Sequence, residues 1–304
     1  MRQSKNISLP TPAETITGAI IERLEAGVRP WRQPWTGGSV SRPLRVCGTP
    51  YRGINVIWLW MAAQARGFAS PSWMTYHQSQ LLGGQVRKGE RGTMAIFYKS
   101  YSKTVEDVAT GEPEDESRRV LKSFTVFNID QIDGLPDRFR SKPVELPEPT
   151  MRDHALDAFF AAIPAAIRQG GGEAYYLPSV DVITMPDVAA FRTRDLYRST
   201  LAHELAHWTG HERRLARNLS GRFGSDAYAM EELVAELASA MVGAELGLPV
   251  DHLDDHASYL ASWLKVLKAD SRAILTAAAK AEEASTYLLG LGRPATAEPA
   301  LLAA

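Results

Sequence analysis

The 304-residue chain predicts an α+β fold in two parts, and three observations carry that expectation. Helical and strand-like segments mix up to about Gly134, whereas helical periodicity dominates from Met151 onward. A proline-dense stretch lies between them. Charge divides the same way: residues 1–100 hold 13 Lys and Arg against 4 Asp and Glu, while residues 146–304 hold 14 against 21. The expected organisation is an α+β domain over 1–140, a Pro-rich linker over 141–150 and a mainly helical domain over 151–304.

Hydrophobic content of 45% and charged content of 23% belong to a globular protein in water. No stretch approaches the roughly 20 apolar residues of a membrane span, so no membrane partner is expected. The opening residues lack the apolar core of a secretory leader. A single cysteine, Cys47, excludes a disulfide framework and a thiolate cluster. The cytoplasm is the expected compartment.

In the first half, Thr11 and Pro12 open a helix reaching Glu25, with Ile16, Ile20, Ile21 and Leu24 at helical spacing. Gly27 and Pro30 stop it. Pro30-Trp31-Arg32-Gln33-Pro34-Trp35 then presents two tryptophans around an arginine, and Tyr51-Arg52-Gly53-Ile54-Asn55 leads into a helix from Val56 to Arg66. Five of the seven tryptophans fall within the first 73 residues. Aromatic rings among arginines suit single-stranded DNA, because unpaired bases stack on flat rings while cations meet phosphates. The competing account is packing. Trp58 and Trp60 lie in an apolar run, and at least one is expected in the core; Trp31, Trp35, Trp73 and Tyr76 sit in loop-like, Pro-rich or polar surroundings that favour exposure. A Gly-punctuated basic turn carrying Arg87, Lys88 and Arg91 offers phosphate contacts, or is a solvated tip, before a strand from Thr93 to Ser100. Residues 104–119 read as a mobile hairpin excursion, and Lys122 to Asn128 as a returning strand. The expected DNA contacts are Trp31, Arg32, Trp35, Arg52, Asn55, Trp73, Tyr76, Arg87, Lys88 and Arg91.

In the second half, Asp153 to Arg168 reads as an amphipathic helix, and 175–176 and 180–183 as short strands. Asp187 or Thr193 caps the next segments. The helix from Asp195 to His207 carries His203-Glu204-Leu-Ala-His207, which places both imidazoles on one face within reach of one metal ion. A catalytic zinc takes three protein ligands. Arg213 stands where a third histidine would complete the metzincin pattern, and His211 lies beyond the helix-breaking Gly210. The helix over 228–242 supplies carboxylates instead: Glu232 and Glu236 share a face at i and i+4, with Glu231 turned away by about 100°. Glu232 is expected as third ligand and Glu236 as the outer acceptor orienting a histidine, with the reverse assignment and an unliganded acidic face both left open. Zinc is the expected metal and manganese the alternative. Glu204 is the expected general base. Tyr228, His256 and Tyr259 are candidates to stabilise an oxyanion, and Tyr259 beside Trp263 also fits a structural role.

His-Glu-Leu-Ala-His-Trp-Thr-Gly-His, Arg-Leu-Ala-Arg at 214–217 and Tyr-Ala-Met-Glu-Glu-Leu-Val-Ala-Glu-Leu-Ala-Ser-Ala together resemble the zincin-like C-terminal domain of the ArdC antirestriction proteins. The first half, with Pro-Trp-Arg-Gln-Pro-Trp, Tyr-Arg-Gly-Ile-Asn, Val-Arg-Lys-Gly-Glu-Arg-Gly and Phe-Thr-Val-Phe-Asn-Ile-Asp-Gln, resembles that family's single-stranded-DNA-binding domain, which also occurs in TraC-type plasmid primases. The resemblance implies a plasmid-borne protein that binds single-stranded DNA and assists conjugative transfer, with a metallopeptidase domain acting on an unidentified protein substrate, a host defence component among the possibilities. The alternative is a non-proteolytic DNA shield whose metal domain is structural or binds a protein. Residues 151–304 are expected to keep a folded metal site without the first 140.

Overall fold

The computed structural model describes residues 9–31, 41–106, 113–139, 148–219, 221, 224–249 and 256–293; within these, 100–106, 113–119 and 256–258 are described by backbone alone. Arg32, Trp35 and most of the expected linker lie outside the described residues.

Helix α1 (Pro12–Glu25) starts in a capping box: the Thr11 hydroxyl accepts from Glu14 N, and the Glu14 carboxylate accepts from Thr11 N at 2.7 Å. Strand β1 (Leu44–Arg45) precedes α2 (Ile54–Arg66), which is apolar around most of its circumference and is buried on two sides. Next come β2 (Ser72–Met74), α3 (Tyr76–Leu81), β3 (Gln85–Val86), β4 (Thr93–Glu106), β5 (Pro113–Asn128) and β6 (Ile132–Asp133). The main sheet has the order β1-β2-β5-β4, and β3 pairs with β6. The hairpin expected over 104–119 is present and extends the main ladder: pairing continues from Thr93↔Val126 to Glu106↔Pro113, and only 107–112 lie outside the description.

The second half opens with α4 (Pro149–Ala161), then β7 (Ala166–Gln169), β8 (Tyr175–Leu177) and β9 (Val182–Met185). The expected helix through Arg168 therefore stops early. Pro164 lacks the N–H that a continuing helix needs, and 166–169 join β9 in parallel. In the sheet order β7-β9-β8, strand β8 occupies an edge. Helix α5 (Arg194–Thr209) is capped by Thr193 and α6 (Asp226–Leu246) by Ser225, and α7 (His256–Ala269) and α8 (Ala273–Gly292) are the last described elements. Arg198, buried on α5, reaches Asp153 and Asp157 and fastens α4.

Beside clusters confined to one half, the largest core cluster is shared by both. Ile16 and Ile20 of α1 and Val56 and Ile57 of α2 pack in one cluster with Leu233 and Leu237 of α6, Trp263 of α7 and Ile274 of α8. The opposite side of α2, through Leu59 and Ala63, packs on Trp73, Ala95 and Val126 of the sheet. Buried Arg42 joins Glu282 at 2.8 Å and Glu245 at 3.3 Å across the same boundary. The expectation that residues 151–304 stand alone conflicts with this packing, since α6, α7 and α8 would expose the face that α1 and α2 cover. A fragment of residues 148–304 should bind a hydrophobic dye and lose the cooperative thermal transition of the full chain; a sharp transition without dye binding would contradict the shared core.

Candidate metal centre

Helices α5 and α6 face each other where His203, His207 and Glu232 meet. Local sequence dictates the arrangement. His203 and His207 are one turn apart on α5, and Ala202, Ala206, Ala235 and Ala238, all buried, let the helix backbones approach closely. His203 Nε2 lies 3.2 Å from His207 Nε2 and 3.6 Å from Glu232 Oε2, and His207 Nε2 lies 3.5 Å from Glu232 Oε1.

These separations test whether a metal fits. Three donors bonded at about 2.0–2.2 Å in tetrahedral geometry stand about 3.3–3.5 Å apart. Two imidazole nitrogens this close also need a cation or proton between them, because their lone pairs repel. The set of two nitrogens and one carboxylate oxygen suits a borderline-soft divalent ion.

Within the cluster the charges compensate one another. Burial works against the His207 cation, but the Glu232 charge and the Glu231 contact outweigh it and push His207 well above its ordinary pKa. Burial likewise opposes ionisation of Glu232, yet His207 and His203 outweigh it and hold the carboxyl well below the usual range. Each histidine has an outer carboxylate. His207 Nδ1 lies 3.3 Å from Glu231 Oε1, and Arg217 clasps Glu231 with Nη2 at 2.8 Å and Nε at 3.0 Å. His203 Nδ1 lies 3.8 Å from Glu236 Oε2. Arg217 also donates to Thr209 Oγ1 and Ala206 O, which ties the post-α5 loop to the helix end. Gly210 is required there, because a Cβ would stand 2.9 Å from Arg217 Nη2 and 3.0 Å from His207 O.

A cavity of about 300 Å³ opens on the cluster, lined by Glu204, Tyr228, Tyr259 and the β8 residues Tyr175 and Tyr176. Among the described residues Glu204 has no hydrogen-bond partner. Tyr228 lies 3.3 Å from Tyr259 between hydroxyls; burial, then that contact, then the Glu232 charge push its phenol far up, so it keeps its proton. The wall is braced by Arg214, which stacks 3.8 Å from the Trp208 ring centroid and pairs with Asp181, itself accepting from Tyr176.

Several sequence-derived site residues stand elsewhere. Trp31 and Trp73 are buried, so neither presents a face to a base; Trp31 donates to Glu236, and Trp73 packs against Phe68. The Asn55 amide is taken up by both backbone groups of Ile96. Arg52 is exposed and 3.7 Å from Glu282. Tyr76, Arg87, Lys88 and Arg91 are exposed; Tyr76 and Gln85 meet beside the basic turn, and Arg87 is paired with Glu90 and Asp133. His211 accepts from Arg213 N and stands outside the cluster, and the His256 side chain is outside the description. Sequence reasoning missed Glu231 and Arg217. The Arg-Leu-Ala-Arg run was visible, but its partner is set by how the loop folds back on α6. Arg29 was missed as well.

Fold and site together define a zincin-like metallopeptidase domain joined to an α+β module: residues 154–280 match the zincin-like metallopeptidase family, and residues 11–127 match the N-terminal domain of the anti-restriction factor ArdC. An uncharacterized protein of Sinorhizobium fredii is 44% identical over 281 residues, with 90% of each chain covered. The DNA primase TraC of Escherichia coli is 42% identical over 295 residues, which are 91% of this chain and 27% of the primase. The crystal structure of the antirestriction protein ArdC from plasmid R388 superposes with a TM-score of 0.77 in its metal-free form and 0.74 in its Mn(II)-bound form, at 43% and 42% identity, covering 93% of this chain and 98% of that one in each case. The chain belongs to the ArdC antirestriction family.

The Asp181 brace carries a pH dependence. Arg214, against a smaller burial effect, lowers the Asp181 pKa to about 2 from 3.8. A depressed folded-state pKa stabilises above the unfolded value, and that stability is lost as pH falls from about 4 to about 2. After discounting for partial exposure the contribution is about 1 kcal/mol. Asp181→Asn should therefore melt about 2 °C below wild type at pH 7, with the gap closing as pH falls through that window; a gap unchanged at pH 3 would refute the assignment.

Proposed function

We propose that this protein binds single-stranded DNA with its first half and hydrolyses peptide bonds at the metal centre, protecting DNA that enters the cytoplasm by conjugation. The observation that carries the hydrolytic reading is one cavity in which His203, His207 and Glu232 converge within tetrahedral reach and Glu204 stands free beside them. His203, His207 and Glu232 would hold the divalent metal; zinc is favoured by this donor set, and the Mn(II)-bound relative supports manganese as an alternative. Bound there, the metal supplies Lewis-acid activation of water and of a substrate carbonyl. Glu204 accepts the proton lost by the attacking water and returns it to the leaving amine nitrogen. Tyr228 keeps its phenolic proton and is placed to donate it as a hydrogen bond to a developing oxyanion. Glu231 and Glu236 orient the two imidazoles. The outer edge of β8, unpaired among the described strands, fits an extended peptide adding along the cavity wall.

Replacement of Glu204 by Ala should leave metal content unchanged and lower peptide hydrolysis by about 100-fold or more. The measurement is cleavage of recipient-cell proteins incubated with each form. Protection of transferred DNA that persists undiminished in the variant would favour the alternative, a non-proteolytic shield.

For DNA, the supporting surface is the basic turn, where Lys88 and Arg91 are exposed and, among the described residues, have no ion pair; exposed Tyr76 meets Gln85, two residues ahead of Arg87, at 3.4 Å. Affinity for single strands should fall with salt by about 0.7 log units per log unit for each phosphate neutralised. The double variant Lys88→Ala/Arg91→Ala should flatten that slope. An unchanged slope would move the interface elsewhere.

A further inference from the structure

Each histidine of the cluster has an outer carboxylate and each carboxylate an arginine, but the two arginines come from opposite halves of the chain. Arg217, on the loop after α5, serves Glu231. Glu236 Oε1 accepts instead from Arg29 Nη1 at 2.6 Å and from Trp31 Nε1 at 3.0 Å, both on the segment just past α1. We infer that Arg29 and Trp31 are positioning residues of the metal centre: by holding Glu236 they set the orientation and basicity of the His203 imidazole, so that the first half governs the metal affinity of the second.

The geometry supplies the reason. His203 turns Nε2 toward His207 and Glu232; a metal held there would leave Nδ1 as the proton-bearing nitrogen, and Nδ1 lies 3.8 Å from Glu236 Oε2, longer than a hydrogen bond and within reach of a small rotation of the ring. Such a carboxylate fixes the tautomer and strengthens the ligand, provided its own plane is fixed. Glu236 is wholly buried, and its Oε1 is occupied by two donors from the first half, so Oε2 is the oxygen presented to His203. Trp31 is itself immobilised. Its ring meets Trp263 edge-on at 5.5 Å, Trp263 stacks on Tyr259 at 6.0 Å, and Tyr259 stacks on Tyr228 at 6.3 Å on the cavity wall. The indole and the guanidinium therefore act on the site through an outer carboxylate, without touching the donor atoms themselves.

The inference rests on the divalent-metal reading of the centre and is independent of peptide hydrolysis. The test uses the full chain, with Zn2+ affinity measured by competition against a chromophoric chelator and the visible spectrum of the Co2+-loaded protein as a report on ligand geometry. Trp31→Phe keeps an aromatic ring against Trp263 and removes the N–H together with the pyrrole ring, so thermal stability is measured beside affinity. The variant should weaken Zn2+ binding by about tenfold and shift the Co2+ spectrum, as loss of an outer partner does. Glu236→Gln should weaken binding by about 10–100-fold, and adding Trp31→Phe to it should cost nothing further, because the indole acts through that carboxylate. Arg29→Lys, which keeps the charge and loses the fixed fork, should move affinity in the same direction and carries the test if Trp31→Phe misfolds. Wild-type affinity and spectrum in the single variants, or losses that multiply in the double variant, would overturn the inference. A wild-type chain that binds metal but cleaves no peptide would overturn only the hydrolytic reading, whereas one that binds no metal would overturn both.

Discussion

Negative charge buried beside two imidazoles is the constraint on which the rest of this structure depends. Glu204, Glu232 and Glu236 are buried, and the Glu231 side chain is only 10% exposed. Carboxylates taken out of water need a counter-charge or donors, since an uncompensated buried charge is among the costliest features a core can hold. Here the compensation is spread over elements distant in sequence. Arg217 is drawn back from the loop after α5, Arg29 is drawn in from the segment after α1, and His207 lies against Glu231 and Glu232. A metal bound between them would supply the remaining positive charge.

That requirement accounts for the packing around α6. Small and aliphatic residues are buried along nearly its whole length, so it cannot lie on a surface and has to be enclosed by α5, α7 and α8 with α1 and α2 against the same core. Enclosure brings Arg29 and Trp31 within reach of Glu236, and hydrophobic burial and charge compensation thus select the same arrangement. Arg42 repeats the pattern at the other end of the boundary, where its partners Glu245 and Glu282 belong to α6 and α8.

Much of this was legible in the chain where local physics decides. Thr11 and Glu14 mark the start of α1, Thr193 the start of α5, and the His-Glu-x-x-His spacing with Glu232 identifies residues that share helix faces. What escaped was decided by contacts distant in sequence. Helical periodicity continued past Pro164, but 166–169 found a partner strand in β9. Glu231, set about 100° from Glu232 on an isolated helix, still meets His207, because the ring's Nδ1 points to the other side of the line between α5 and α6. Tryptophans among arginines fitted base stacking, yet the Trp31 indole pairs with a carboxylate some two hundred positions away.

The division of charge changes meaning in the same light. A basic first half beside an acidic second half reads in composition as the footprint of nucleic acid. Yet Arg29, Arg42 and Arg52 lie against Glu236, Glu245 and Glu282, so part of the excess on each side is cancelled at the boundary where the halves meet. Arg87 is cancelled locally by Glu90 and Asp133. Complementary charge across a shared core produces the same compositional signal as an electropositive DNA surface, and only the pairing separates them. What is left of the basic excess is carried by cations that the fold leaves to solvent. Among the described residues such cations include Arg45, Arg66, Lys88, Arg91, Lys99 and Lys122, all exposed and without an ion pair. Part of the basic excess of the first half thus serves to hold the metal domain against it, and the rest lies on the surface.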